Sequence, residues 1–174
     1  CEHIEKRSKW SAKVRRDLPQ IRWVDPRTIH ITLKFCGEIP FETTELLTQK
    51  LKSISKIGPM LLSIKGIGGF PNLSNPRIVW CGIDGDTAKL RTIQKEIENI
   101  ALYAGINREN RPYSPHITLG RKNTQTPLTQ EEEKILTSHS LESEPWYADK
   151  VILMKSELKP SGPIYTPLAL FKFT

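Results

Sequence analysis

Two stretches of the sequence, TIHITLKF at residues 28–35 and YSPHITLGR at residues 113–121, share the tetrapeptide HITL and decide the fold. In both, apolar residues alternate with polar ones, which is the pattern of a β-strand with one buried and one exposed face. The buried face of the first predicted strand comprises Ile29, Ile31, Leu33 and Phe35. Its other face comprises Thr28, His30, Thr32 and Lys34. The sequence thus predicts two strands that each present a His-x-Thr pair on a polar face.

The rest of the chain predicts helices and strands that interleave. Apolar periodicity and capping signals predict helices over residues 4–18, 41–57 and 86–104, and a short helix with a capping box at Thr129 and Glu132. Alternation predicts further strands over residues 21–24, 60–67, 77–83, 146–159 and 164–173. The turn sequence Pro160-Ser161-Gly162-Pro163 joins the last two strands and predicts a hairpin. Neighbouring strands and hairpin turns together predict an α+β fold with mainly antiparallel pairing.

Length and composition indicate one globular domain over residues 1–174. Apolar residues make up 37% of the chain and charged residues 26%, which excludes wholesale disorder and fibrous repeats. Its apolar stretches fall far short of the roughly 18 to 20 residues that span a bilayer, so the sequence predicts neither secretion nor a membrane. Cys1, Cys36 and Cys81 lack CxxC spacing and are expected to be buried free thiols. This cysteine usage predicts a reducing, cytoplasmic compartment, and nothing indicates an obligate protein partner.

The charge balance favours an anionic partner slightly. Lys and Arg number 26 against 19 Asp and Glu, which gives a formal net charge of +7. Such a chain attracts RNA or a nucleotide through the release of counterions, although the same charges also suit a generic basic surface. Charge therefore narrows the class of partner without identifying it.

The repeated His-x-Thr pair is the feature that carries chemistry. Two of the four histidines of the chain, His30 and His116, occupy the equivalent position of the two motifs. Strand geometry puts each histidine on the same face as its threonine, Thr32 or Thr118, about 6 to 7 Å away. Imidazoles that face each other can act as an acid and a base, because the group titrates near neutral pH.

Hydrolysis of a phosphodiester requires such a pair. One histidine would deprotonate the attacking water while the other protonates the departing oxygen, and the threonine hydroxyls would donate hydrogen bonds to the phosphoryl oxygens. Arg121, which closes the second motif, could add a charge-assisted contact to the same phosphate. Strict alternation from His116 would turn Arg121 to the opposite face, so this role requires a bend or bulge at Gly120.

Two other interpretations of the histidines remain open at this point. Each imidazole could lie on a solvated strand face and bind a neighbouring hydroxyl, without any catalytic role. A zinc site is disfavoured, because the sequence contains neither His-x-His nor CxxC spacing. The sequence therefore predicts no metal ion and no cofactor.

The segments TIHITLKFCGEI and PYSPHITLGR resemble the two signature strands of the two-histidine (2H) phosphoesterases, in the branch of the RNA 2′,3′-cyclic phosphodiesterases or 2′-5′ RNA ligases (LigT-like). The resemblance extends to IRWVDPRTIHITLKF, GGFPN…PRIVWCGI and SELKPSGPIYTPLALFKF, and so covers nearly the whole chain. It implies a bilobal α+β fold with pseudo-two-fold symmetry, in which two mainly antiparallel sheets line a central cleft with helices outside. It also implies roles: His30 as proton donor, His116 as proton acceptor, and phosphate binding by Thr32, Thr118 and Arg121.

One departure from the family concerns the N-terminus. Members usually begin with a short apolar strand before the first helix, whereas the given sequence begins at Cys1, directly before the predicted first helix. The strand is therefore expected to be missing before residue 1.

The function that the resemblance implies is metal-independent opening of a 2′,3′-cyclic phosphate at an RNA end to a 2′-phosphate, with 2′-5′ joining of RNA ends as an additional activity. One alternative keeps the chemistry and changes the substrate to a small cyclic nucleotide, such as an ADP-ribose cyclic phosphate. A second alternative is a nucleotide- or RNA-binding module without turnover. Two complete His-x-Thr motifs argue against the second, since a binding module needs no acid and base.

Overall fold

A computed structural model describes residues 14–138, 141–160 and 162–174. These residues form two compact units, each assembled from three segments of the chain. The first unit takes the described residues up to Thr32 together with Leu62–Gly85 and Pro115–Trp146. The second takes Leu33–Leu61, Asp86–Ser114 and Tyr147–Thr174. Among the described residues, no helix is both long enough and apolar enough to cross a membrane.

The larger sheet has five strands in the order β1-β4-β3-β2-β5. In chain order its strands are β1 (Ile21–Trp23), β2 (Met60–Phe70), β3 (Ile78–Gly85), β4 (His116–Lys122) and β5 (Trp146–Ala148). The pairings of β4 with β1, of β4 with β3 and of β3 with β2 are all antiparallel. β4, which carries the second HITL motif, therefore has a partner on each side.

The core of the first unit lies against one face of this sheet. It contains alternate residues of the strands together with side chains from neighbouring loops and helices, namely Val14, Leu18, Ile21, Ile64, Val79, Cys81, Ile117, Leu119, Leu128, Leu136 and Leu141. Residues 14–17 are helical, and Leu18 is not. The rest of the helix predicted over residues 4–18 lies outside the described residues, as does Cys1. The predicted capping box is confirmed, since Thr129 and Glu132 exchange hydrogen bonds at the start of the helix Gln130–Thr137.

The second unit contains two longer helices and a hairpin. Helix α1 (Phe41–Lys50) continues as a 3₁₀ helix (Leu51–Ile57) and ends at Gly58, whose φ is 80°. Helix α2 (Thr87–Tyr103) buries the predicted apolar stripe, with the buried positions Leu90, Ile93, Ile97, Ile100 and Ala101. The predicted hairpin is confirmed by the antiparallel register of β6 (Lys150–Lys159) with β7 (Gly162–Lys172). Helix Gln130–Thr137 of the first unit is α3.

The prediction of an α+β fold with mainly antiparallel sheets is confirmed. The sequence placed one strand over residues 146–159, but the chain divides there into β5 and β6. The α-helix predicted over residues 41–57 ends at Lys50. The two-lobed arrangement around a cleft and its pseudo-symmetry stay predictions.

The predicted strand over residues 28–35 is wrong in its first and last parts. Pro26–Thr28 forms a 3₁₀ turn, and beyond it the described structure gives this stretch one bridge, between Ile31 and Ile117. Phe35, expected in the core, is 75% exposed. Alternation of apolar and polar residues indicates an extended backbone, but a strand also requires a partner for its ladder of hydrogen bonds, and alternation cannot report that.

Candidate active site

The second motif presents its His-x-Thr pair on the face of β4 that is turned away from the core. Ile117 and Leu119 are buried among the core residues, whereas His116 and Thr118 are only partly buried. In the register with β3, His116 lies opposite Gly82 and Thr118 lies opposite Trp80. Residues directly opposite each other in an antiparallel pair share a face, so Gly82, Trp80 and the His-x-Thr pair form one surface.

A β-bulge brings Arg121 to this same face. Along β3, Val79 and Trp80 are consecutive, but their partners on β4 are Gly120 and Thr118, so Leu119 is the extra residue of a bulge. Beyond the bulge Arg121 lies opposite Ile78, which shares the face of Trp80 by alternation along β3. The burial pattern agrees, since Leu119 and Gly120 are both buried and Arg121 is exposed. The bend that the role of Arg121 requires is therefore present.

At Gly120 the strands β1 and β4 lie so close together that no side chain fits. A Cβ atom added to Gly120 would lie 2.5 Å from Cγ2 of Ile21 and 3.2 Å from Cε3 of Trp23. Both residues belong to β1, and Trp23 is the cross-strand partner of Gly120. The close approach of β1 to β4 thus depends on a glycine at this position.

The first motif meets the second through the bridge between Ile31 and Ile117, which is antiparallel. Continuing that register by one residue in each direction places His30 beside Thr118 and Thr32 beside His116. Each histidine therefore lies next to the threonine of the other motif, on the face away from the core. His30 and His116 occupy the diagonal positions of this square, where Cβ atoms are about 7 to 8 Å apart. A tetrahedral phosphate fits between two imidazoles at this separation.

A turn before the first motif orients the imidazole of His30. The Asp25 carboxylate accepts hydrogen bonds from the backbone N–H of Arg27 at 2.9 Å and from its guanidinium at 2.6 Å. These contacts hold the pKa of Asp25 at about 2, well below its usual value. At the end of this turn the carbonyl oxygen of Thr28 lies 2.7 Å from Nδ1 of His30. A carbonyl only accepts, so Nδ1 carries a proton, and Nε2 is the nitrogen that can exchange one.

Aromatic rings surround the imidazole of His116. The ring of Phe70 meets it edge to face, with centroids 5.1 Å apart, and the ring of Trp80 lies 6.1 Å away. Trp80 in turn covers Gly68, where an added Cβ would overlap Cζ2 of the indole. Edge-to-face contacts of this kind fix the orientation of a ring. His116 is therefore held by packing, whereas His30 is held by a hydrogen bond to the backbone.

Lys34, predicted on the polar face of the first motif, has a different environment. Its side chain is 6% exposed, and its Nζ lies 3.1 Å from Oε2 of Glu98 on α2. The same Nζ donates a hydrogen bond of 2.8 Å to the carbonyl oxygen of Asn107. All three residues belong to the second unit, so Lys34 anchors the chain there.

The five residues proposed from the sequence lie in the first unit, and the register puts them on one face: His30, Thr32, His116, Thr118 and Arg121. Sequence reasoning missed Arg22, Phe70 and Trp80, which the register adds to the same face. Arg22 could have been found, since it alternates with the buried Ile21, but its position opposite Arg121 requires the strand register. Within the described residues, no group of three or more His, Cys, Asp or Glu side chains converges on one point.

Comparisons with known proteins identify relatives of this chain. The chain is 32% identical over 154 residues to an RNA 2′,3′-cyclic phosphodiesterase of Aquifex aeolicus, covering 86% of this chain and 80% of that one. A relative of the same name from Methanocaldococcus jannaschii is 33% identical over 145 residues and covers 83% and 80%. A crystal structure of a Thermus thermophilus protein superposes with a TM-score of 0.75 at 26% identity, covering 98% of this chain and 92% of that one.

The fold is also that of Escherichia coli LigT, crystallised with 3′-AMP, at a TM-score of 0.70 and 24% identity over 92% of this chain and 87% of that one. The sequence profile of the 2′-5′ RNA ligase superfamily matches residues 5–160, a span that contains both HITL motifs. Paired His-x-Thr motifs, antiparallel fold and profile converge on one assignment, and the chain belongs to the 2′-5′ RNA ligase superfamily.

Proposed function

We propose that this protein is an RNA 2′,3′-cyclic phosphodiesterase, which opens the cyclic phosphate at an RNA end and leaves a 2′-phosphate. The observation that carries the proposal is the bridge between Ile31 and Ile117, because it sets two His-x-Thr pairs side by side on one face. The relatives from Aquifex aeolicus and Methanocaldococcus jannaschii carry the same activity in their names.

The reaction needs one proton taken and one proton given. His116 takes a proton from water as the water oxygen attacks phosphorus, and His30 gives a proton to the ribose 3′ oxygen as its bond to phosphorus breaks. The product carries the phosphate on the 2′ oxygen, and the two histidines return to their starting charges by exchange with solvent. When the 5′-hydroxyl of a second RNA replaces water, the same steps join two ends through a 2′-5′ bond.

The neighbouring groups support these roles. Because the Thr28 carbonyl accepts from Nδ1 of His30, the proton that reaches the leaving oxygen comes from Nε2. Thr32 and Thr118 donate to the non-bridging oxygens, where negative charge accumulates in the transition state. Arg121, exposed on the same face beyond the bulge, adds a charge-assisted hydrogen bond to that phosphate.

The partner in this proposal is an RNA end, and the setting is the cytoplasm. A formal net charge of +7 favours a polyanion. Cys81 is a buried free thiol, as expected, and burial raises its pKa to about 12. Cys36 is also a free thiol, but it is only partly buried, so the expectation of burial is wrong for this residue. Free thiols of this kind suit a reducing compartment.

The test is an assay of RNA with a 2′,3′-cyclic-phosphate end in excess EDTA, with a small cyclic nucleotide and an ADP-ribose cyclic phosphate as competing substrates. We expect hydrolysis of the RNA end in the chelator, because two imidazoles suffice for both proton transfers. Loss of activity in EDTA that zinc or manganese restores would contradict the metal-independent mechanism. Faster hydrolysis of a small cyclic nucleotide would change the substrate, and binding without turnover would contradict the enzyme.

A second measurement identifies the bond that breaks. Phosphorus NMR of the product, or its resistance to a phosphatase specific for 3′ ends, distinguishes a 2′-phosphate from a 3′-phosphate. A 2′-phosphate is expected. A product that is mostly 3′-phosphate would reverse the roles given to His30 and His116.

A further inference from the structure

A second arginine lies directly beside Arg121. In the register of β1 with β4, Arg22 is the cross-strand partner of Arg121, and both residues are exposed. Ile21 and Trp23, on either side of Arg22, pack with the core, so Arg22 lies on the face of the His-x-Thr pairs. Cβ atoms at directly opposite positions are about 5 Å apart, which brings two guanidinium groups within reach of neighbouring anionic groups.

The arrangement of this row indicates what the arginines bind. Four residues are directly opposite one another across the sheet from β1 to β2 and form this row: Arg22, Arg121, Ile78 and Phe70. Arg22 and Arg121 therefore present two exposed guanidinium groups side by side at one end of this row. The chemistry that fits is phosphate, which guanidinium groups bind with planar, paired hydrogen bonds.

The position of Arg22 relative to His30 indicates which phosphate it binds. Both lie on the same side of β4, because Arg22 pairs with Arg121 and His30 lies beside Thr118. In the proposed reaction His30 protonates the ribose oxygen that leaves, so the ribose lies on the side of His30, and the attacking water lies on the side of His116. Whatever is attached to the 5′ oxygen of that ribose extends on the side of His30 as well. In an RNA chain this group is the phosphodiester to the preceding nucleotide.

We propose that Arg22 binds the phosphodiester on the 5′ side of the terminal nucleotide and so makes the enzyme prefer an RNA end to a cyclic mononucleotide. The inference rests on the proposed function and assigns Arg22 a binding role, whereas Arg121 contacts the reacting phosphate. The shared chemistry is a phosphate on the 5′ oxygen of the ribose, and the RNA phosphodiester is the source to which the proposal commits.

The test compares three substrates: a dinucleotide with a cyclic-phosphate end, a cyclic mononucleotide with a 5′-hydroxyl, and the same mononucleotide with a 5′-phosphate. For Arg22→Ala we expect kcat/KM on the dinucleotide to fall about tenfold or more, mainly through KM, because a charge-assisted contact is lost. On the 5′-hydroxyl mononucleotide the loss should stay under about threefold. Arg22→Lys should recover part of the loss, since it keeps the charge without the planar pair of donors.

Two other variants serve as comparisons. Arg77→Ala removes an exposed arginine that precedes Ile78 in sequence and therefore has the opposite parity along β3, so it should leave the ratio between substrates unchanged. Arg121→Ala should lower kcat/KM on all substrates alike, because it contacts the phosphate that all of them share.

Equal losses on dinucleotide and mononucleotide for Arg22→Ala, or no loss on either, would overturn the proposal. If the 5′-phosphate mononucleotide responds to Arg22→Ala as the dinucleotide does and the wild type hydrolyses it at least as fast, the small-nucleotide source replaces the RNA source. A wild-type protein that hydrolyses none of the substrates contradicts the proposed function rather than Arg22. In that case the binding role of Arg22 is tested by the affinity for a dinucleotide with a 2′-phosphate. Arg22→Ala should reduce the slope of log affinity against log salt concentration by about one ion.

Discussion

The second HITL copy lies within β4 and pairs with β3, whereas the first lies outside the named strands and shares one bridge with β4. The orientation of each histidine has a correspondingly different origin. The rings of Phe70 on β2 and Trp80 on β3 pack against His116, whereas His30 contacts the carbonyl of a turn two residues earlier. Identical tetrapeptides thus reach one face by different means.

The difference begins at the fifth residue of each motif. Where the first continues with Lys34, the second continues with Gly120. Lys34 forms a nearly buried ion pair with Glu98 on α2, and Gly120 admits the close approach of β1. One flank is therefore held by charge in the second unit, and the other by packing in the first.

The largest expected effect on activity tests what the two motifs have in common. His30→Ala and His116→Ala should each lower the single-turnover rate by at least roughly a hundredfold, because positioned acid-base catalysis contributes about that much. Circular dichroism would confirm folding. A rate close to wild type in either variant would end the two-histidine mechanism.

The same two variants should differ in stability. His116→Ala also removes the edge-to-face contact with Phe70, which is worth about 0.5 to 1.5 kcal/mol. Its midpoint of thermal unfolding should therefore fall below that of His30→Ala, whose side chain is exposed. Equal unfolding midpoints in the two variants would contradict the conclusion that packing holds His116 whereas a turn holds His30.

The ion pair that follows the first motif can be removed by a substitution at Lys34. Lys34→Ala leaves the carboxylate of Glu98, 11% exposed, without its cation, and should lower the free energy of unfolding by about 3 to 5 kcal/mol. Denaturant titration measures the change. The double variant Lys34→Met with Glu98→Gln removes both charges and should recover most of the loss. A double variant no better than the single one would show that the side chain matters for its volume alone.

The flank of the second motif can be broken at Gly120. In Gly120→Ala the new methyl group would collide with Ile21, and overpacking of this kind costs about 1 to 3 kcal/mol. Arg121→Ala, one residue along and exposed, should leave the unfolding free energy nearly unchanged. If Gly120→Ala unfolds like wild type, β1 does not depend on the close approach at this glycine.

The smallest effect concerns the turn before His30. Asp25→Ala removes the acceptor for Arg27, so the Thr28 carbonyl is held less firmly and kcat should fall by less than about tenfold. Because the pKa of Asp25 is depressed to about 2, its contribution is complete above the usual carboxylate pKa and is lost as the pH falls through about 2. Unfolding midpoints of wild type and variant should thus converge in acid. Asp84→Asn, a second exposed carboxylate in an ion pair, is the matched control for activity.

Much of this architecture follows from local patterns. The stripe from Leu90 to Ala101 predicts a helix because a period of 3.6 residues admits little else, and the capping box at Thr129 marks a helix start through hydrogen bonds between near neighbours. The PSGP turn likewise predicts the β6–β7 hairpin. Each of these signals depends on residues close together in the sequence.

The remainder depends on partners far away in the sequence. Alternation predicted a strand through Phe35, but the segment lacks a continuous ladder, and that fact depends on where β4 ends. Gly120 indicated a bulge, yet only the register with Val79 and Trp80 shows that Leu119 is the extra residue. The roles of Phe70, Trp80 and Arg22 likewise require knowledge of the residues that lie across from them.

The bridge between Ile31 and Ile117 has a symmetry with a consequence for the reaction. A two-fold rotation about an axis through the bridge, perpendicular to the sheet, exchanges the two motifs and sends each histidine to the place of the other. In the proposed assignment a phosphorus atom near this axis has a proton-transfer group on either side, so by microscopic reversibility the acid of one direction is the base of the other. In that assignment the direction comes from the groups outside the symmetry, the Arg22–Arg121 pair on one flank and the Phe70–Trp80 rings around one histidine. The flanks of the motifs would then set the orientation of the substrate, while each histidine can act as acid or as base.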